Sequence, residues 1–197
     1  MNMGYVPRIL AFSGSARTGS FNGKLVRIAV RGAEEAGAEV DLVDLRDYPM
    51  PLYDGDLEER EGIPENAVRF KALMTACQGL LIAAPEYNSS ITPLLKNTID
   101  WASRPAPGEK MLAAFLNKTA ALMSASPGSL GGLRGLVHVR SILSNIRVLV
   151  LPDQVAVPGA FGAFADDGRL KDEKRQAAVE GLGRKLAETL VKLHGNV

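Results

Sequence analysis

Apolar runs and amphipathic stretches alternate along this chain. Residues 8–12 close on Ile-Leu-Ala-Phe after a charged Arg8, a short buried strand. Residues 22–36 set Leu25, Ile28, Ala29 and Gly32 at helical spacing, and Gly37 suits the stop. Residues 39–45 alternate charged and apolar side chains, the pattern of a strand near a sheet edge. Residues 79–84, Gly-Leu-Leu-Ile-Ala-Ala, are apolar on both faces, as in a central parallel strand. Residues 119–123 and 147–151 predict a fourth and a fifth strand. Helical patterns cover 65–77, 92–101, 130–146 and 172–193, with Pro93 acceptable in a first turn. In the first of these, Val68, Leu73 and Met74, or Ala76 and Cys77, are expected to be buried. Residues 45–64, rich in Pro, Gly and charge, read as a long loop, 104–108 as a Pro-rich break, and 152–164 as irregular.

Strands recurring roughly every 30 to 40 residues with helices between them predict right-handed βαβ units. The expected fold is α/β: a three-layer sandwich whose five-stranded parallel sheet has the flavodoxin-like order 2-1-3-4-5, with helices on both faces. At 197 residues, one domain over 1–197 is expected. Lys and Arg number 23 against 22 Asp and Glu, so bulk charge gives no signal for nucleic acid or an anionic membrane. Cys77 is the single cysteine, which excludes an internal disulfide and favours a reducing compartment. No apolar stretch reads as a membrane span or signal peptide, so a cytoplasmic location is expected.

Three segments fall where such a sheet puts its binding loops, at the carboxyl ends of strands. They are residues 14–22 (Gly-Ser-Ala-Arg-Thr-Gly-Ser-Phe-Asn), 85–88 (Pro-Glu-Tyr-Asn) and 124–129 (Ser-Ala-Ser-Pro-Gly-Ser). The first offers hydroxyls at Ser13, Ser15, Thr18 and Ser20, amides at Asn22 and along the backbone, and the Arg17 guanidinium. Gly14 and Gly19 allow a sharp turn and close approach. A helix N-terminus points at the loop, so the set suits a phosphomonoester. A P-loop is excluded because Ser20-Phe21 stands where Lys-Ser/Thr is required, and no G-x-G-x-x-G occurs. Read blandly, the loop is a serine-rich turn with Ser20 as N-cap, and residues 85–88 are a strand-to-helix turn.

Gly14-Ser15-x-Arg17-x-x-Ser20-x-Asn22, followed by Pro85-Glu86-Tyr87-Asn88, Leu94-Leu95-Lys96-Asn97-x-x-Asp100-Trp101 and Ser126-Pro127-Gly128, resembles the NADPH-dependent FMN reductase family. The resemblance runs over residues 8–146. It implies a single flavodoxin-like FMN-binding domain that passes hydride from NADPH or NADH through FMN to a free flavin, quinone, azo dye or chromate. It implies that Ser15, Arg17, Ser20 and Asn22 hold the phosphate beside Phe21. Pro85, Glu86, Tyr87 and Asn88 would line the isoalloxazine, and Ser124, Ala125, Ser126 and Gly128 would flank the ring and ribityl chain. Hydride transfer would be flavin chemistry, with no catalytic side chain. The family pattern further implies a homodimer or homotetramer.

Other features carry plainer expectations. Trp101 is expected to pack in a core or at a subunit interface, with the interface preferred, and Cys77 is expected as a buried, inert thiol. His138 and His194 lack metal-ligand company, so no metal site is assigned. Asp54, Asp56, Glu58, Glu59 and Glu61 read as a solvated flexible loop, and 166–175 as a solvated helix start. Two other functions stay open: a flavodoxin-type electron carrier without its own turnover, and a phosphosugar or nucleotide enzyme on the same fold.

Overall fold

The structure, a computed structural model, describes residues 5–195. Five strands form one parallel sheet: β1 (Arg8–Ser13), β2 (Glu39–Val43), β3 (Gly79–Ala83), β6 (Thr119–Ala125) and β7 (Leu149–Val157). Between β3 and β6 a two-stranded hairpin, β4 (Glu86–Tyr87) and β5 (Ser90–Ile91), stands apart from the sheet. The sheet order is β2-β1-β3-β6-β7, which is 2-1-3-4-5 when the sheet strands alone are counted.

Strand side chains alternate between faces, and here both faces are buried. Ile9, Ala11, Leu81, Ala83, Ala121 and Met123 point to one layer, made by α1 (Phe21–Glu35) and α7 (Glu173–His194). Leu10, Phe12, Leu80, Ile82, Ala120 and Leu122 point to the other. That layer is made by α3 (Glu65–Ala76), α4 (Pro93–Ser103) and α5 (Leu133–Asn145). The two outer helices α1 and α7 touch through glycine. A Cβ on Gly32 would collide with the Glu180 carbonyl, and one on Gly183 with the Ala29 carbonyl.

Several elements differ from the sequence reading. The stretch 45–64 is not a loop throughout: it holds a 3-10 turn at Leu45–Asp47 and α2 (Gly55–Glu61). Two of its acidic residues are employed there. Asp54 caps α2 by accepting from the N–H groups of Asp56 and Leu57, and Glu58 pairs with Arg104. Residues 152–157 belong to β7, whose pairing with β6 slips between Ala120 and Leu122, the irregularity that accommodates Pro152. A short helix, α6 (Ala160–Ala163), follows. Helix α5 begins at Leu133 because Gly131 and Gly132 both have positive φ. Val68 is 47% exposed, and Ala67, Phe70, Lys71 and Met74 form the buried side of α3.

The last difference concerns Trp101. It is fully buried within the chain, the core placement and not the preferred interface. Its indole N–H donates to the Pro51 carbonyl at 2.8 Å, and the Tyr53 ring meets it edge-on at 5.0 Å. Cys77 is buried as expected, and burial pushes its thiol pKa up.

Candidate active site

The three loops lie together at the carboxyl edge of the sheet. The first leaves β1, where the Gly14 N–H donates to the Ala83 carbonyl at 2.9 Å. A Cβ on Gly14 would come within 2.9 Å of Leu95, so only glycine lets this loop pass α4. Ser15 Oγ accepts from the Arg17 N–H, and Gly19 turns the chain at φ +70°. Ser20 caps α1 by accepting from the Gly23 N–H at 3.3 Å. The N–H groups of Phe21 and Asn22 then have no acceptor among the described residues. Ser13 Oγ is buried and has no partner among the described residues. The Arg17 guanidinium lies 5.7 Å from the Phe21 ring and has no ion-pair partner among the described residues. Donors without acceptors therefore converge on the positive end of α1, the chemistry of an anion site.

Asn22 does something other than the sequence reading implied. Its side-chain amide donates to the Ala125 carbonyl at 2.8 Å and accepts from the Ala125 N–H at 2.9 Å. The residue is buried and ties the start of α1 to the end of β6. What it offers an anion is its backbone N–H. Ala125 is correspondingly occupied.

The second loop is the β4–β5 hairpin. Asn88 and Ser89 have φ of 49° and 67°, a two-residue turn of the kind that suits hairpin twist. Tyr87 is 54% exposed on it. Glu86 points the other way. Its carboxylate accepts from Arg134 Nη2 at 2.8 Å and from the Gly135 N–H at 3.1 Å. Burial pushes its pKa up, but the Gly135 N–H and the Arg134 guanidinium more than offset this and hold it below the usual carboxylate range. Thr92 Oγ1 donates to the Gly14 carbonyl at 2.6 Å, fastening the second loop to the first, and the Pro85 ring packs beside Gly14.

The third loop leaves β6. The Ser126 N–H donates to the Val157 carbonyl, and its Oγ accepts from the Gly128 N–H. Ser124 is buried, and its Oγ has no partner among the described residues. A Cβ on Gly132 would collide with that hydroxyl, and Gly132 has φ +92°. The Gly131–Gly132 pair thus lets α5 close over Ser124.

The sequence profile of NADPH-dependent FMN reductases matches residues 7–162. The chain belongs to the NADPH-dependent FMN reductase family. NAD(P)H-dependent FMN reductase PA1204 of Pseudomonas aeruginosa is 36% identical over 174 residues, 88% of this chain and 89% of that protein. Probable NADPH:quinone oxidoreductase 2 of Oryza sativa subsp. japonica is 41% identical over 193 residues, 95% of this chain and 91% of that protein. Among solved structures, the flavoenzyme NAD(P)H:(acceptor) oxidoreductase FerB of Paracoccus denitrificans superposes with a TM-score of 0.78 at 27% identity. That superposition covers 96% of this chain and 100% of FerB.

The residues present fit the family's FMN. An FMN phosphate would meet Ser13, Ser15, Arg17, Ser20 and two free N–H groups, and would give the orphaned Ser13 hydroxyl a partner. Two contributors escaped the sequence reading. Thr92 was read only as a helix opener, and Arg134 grips Glu86 from 48 positions away, beyond any local pattern.

Proposed function

We propose that this FMN reductase family member transfers hydride from NADPH or NADH, through FMN, to a small oxidant such as a free flavin or quinone, with azo dyes and chromate as further acceptors. FMN supplies the hydride-carrying ring. The chain anchors it with the residue 14–22 loop, presents Tyr87 and the hairpin backbone on one side, and brings Ser124, Ser126 and Gly128 to the other. The observation that carries this reading is the cluster of unpartnered donors at the start of α1, with the hairpin fastened beside it by Thr92. No side chain is needed as acid or base: His138 is exposed and lies 2.9 Å from Ser90 Oγ, and Cys77 is sealed in the core.

Exposed Leu133 and Val137 on one face of α5 support assembly as a homodimer or homotetramer. Among the described residues no helix is long and apolar enough to cross a membrane. The single, buried cysteine supports the cytoplasm. Turnover tests the reading. Purified protein supplied with FMN is expected to oxidise NADPH with menadione as acceptor. Flavin binding with only slow NADPH oxidation would indicate an electron carrier instead.

A further inference from the structure

One cleft begins at the phosphate loop but runs away from the hairpin and the third loop. It measures about 400 Å³ and is walled by the first loop, the outer side of α1, and residues 42–48 at the end of β2. Its charged lining is Arg17, Lys24, Arg27 and Arg46 against Asp44 and Asp47. Asp44 is already committed: it accepts from Arg46 Nη2 at 2.6 Å and from Arg46 Nε at 3.0 Å. The other arm of Arg46 donates to Thr18 Oγ1 at 3.3 Å, so this wall is joined to the phosphate loop. Lys24 and Arg27 have no ion-pair partner among the described residues. The cleft therefore holds a surplus of positive charge beyond Arg17, the cation assigned to FMN. Val26, Leu42 and Tyr48 give it an apolar floor.

We propose that this cleft receives the adenosine end of the reductant and that Arg27, with Lys24 and Arg46, recognises the 2′-phosphate of NADPH. The chemistry follows from what separates the two reductants. NADPH carries one phosphomonoester dianion that NADH lacks, and a guanidinium fork is suited to such a group. An apolar floor with a ring at one end suits a purine. The assignment rests on the FMN reading above, because only a reductant that reaches the flavin has reason to lie beside its phosphate.

The test uses flavin-loaded protein. Arg27 is exposed on α1, seven positions past Ser20, and among the described residues no hydrogen bond or ion pair joins it to the loop assigned to FMN, so Arg27→Ala is expected to keep its FMN. It should raise KM for NADPH about tenfold, the size expected for one hydrogen bond to a charged group, and leave KM for NADH within about twofold. Arg27→Glu should reverse the preference toward NADH. Calorimetry supplies a readout apart from turnover: adenosine 2′,5′-bisphosphate should bind the wild type and bind Arg27→Ala about tenfold more weakly, while AMP distinguishes the two proteins little. Equal effects on NADPH and NADH, or unchanged binding of the bisphosphate, would overturn the proposal. So would loss of FMN from Arg27→Ala, which would make the cleft part of the flavin site. Should the wild type bind no FMN, the functional reading fails, and the bisphosphate titration still decides the cleft.

Discussion

Arg17 and Glu86 are both charged residues of the site loops, yet they have opposite roles. Arg17 is unpaired and faces the cleft, so it is free to meet an anion. Arg17→Ala is expected to weaken FMN binding by about 1.5–3 kcal/mol, measured by fluorescence titration. Glu86 is half-buried and its carboxylate is satisfied, so its work is to hold α5 against the hairpin. Its folded pKa lies below the ordinary value of about 4.3. The stabilisation it gives is therefore complete above that ordinary value and fades as pH falls through the lower folded value. Glu86→Gln should flatten the acid limb of a Tm-against-pH curve, and an unchanged limb would mean the pair contributes nothing. The place of Arg17 beside the start of α1 was legible in the sequence because loop, helix and glycine spacing are local. The Asn22 staple was not, since its partner Ala125 lies 103 positions away and an asparagine at a helix start looks like a phosphate ligand.

At the scale of elements, the buried strands were plain because parallel strands covered on both faces are apolar throughout. Two elements were hidden for physical reasons. Helix α2, Gly-Asp-Leu-Glu-Glu-Arg-Glu, buries no residue and so has no apolar stripe to detect; its Asp54 cap and the Glu58–Arg104 pair mark it instead. Strand β7 carries Pro152, Asp153 and Gln154 where its ladder slips, which breaks the expected alternation. The hairpin makes its own prediction. From sequence, Asn88→Pro is expected to spoil the ring slot with little effect on folding. The structure changes this: proline is fixed near φ −65°, and Asn88 sits at +49°. Asn88→Pro should unseat the hairpin and lower Tm, while Asn88→Gly should retain both fold and flavin affinity. Equal Tm for the two variants would show that the turn is not strained.

For the molecule as a whole, the sheet order puts β1, β3 and β6 side by side, so three loops far apart in sequence meet at one edge. That order was legible from the succession of strands and helices. The closeness of the outer layer was not, because Gly32 reads only as a small residue on an apolar face, and Gly183 as an ordinary helix glycine, until the helices are packed. Gly183→Ala should destabilise the fold by about 1–3 kcal/mol in urea unfolding, as overpacking does, with the flavin site unaltered in the folded fraction. No loss of stability would mean that α1 and α7 can separate without cost.

The account depends on the serine-rich loop recognising a phosphate, and comparing FMN with riboflavin tests that alone. Both flavins share the ring, and only FMN carries the dianion. Titrated into flavin-free protein, FMN should bind at least about a hundredfold more tightly than riboflavin, reflecting several charged hydrogen bonds. Equal affinity for the two would contradict the account.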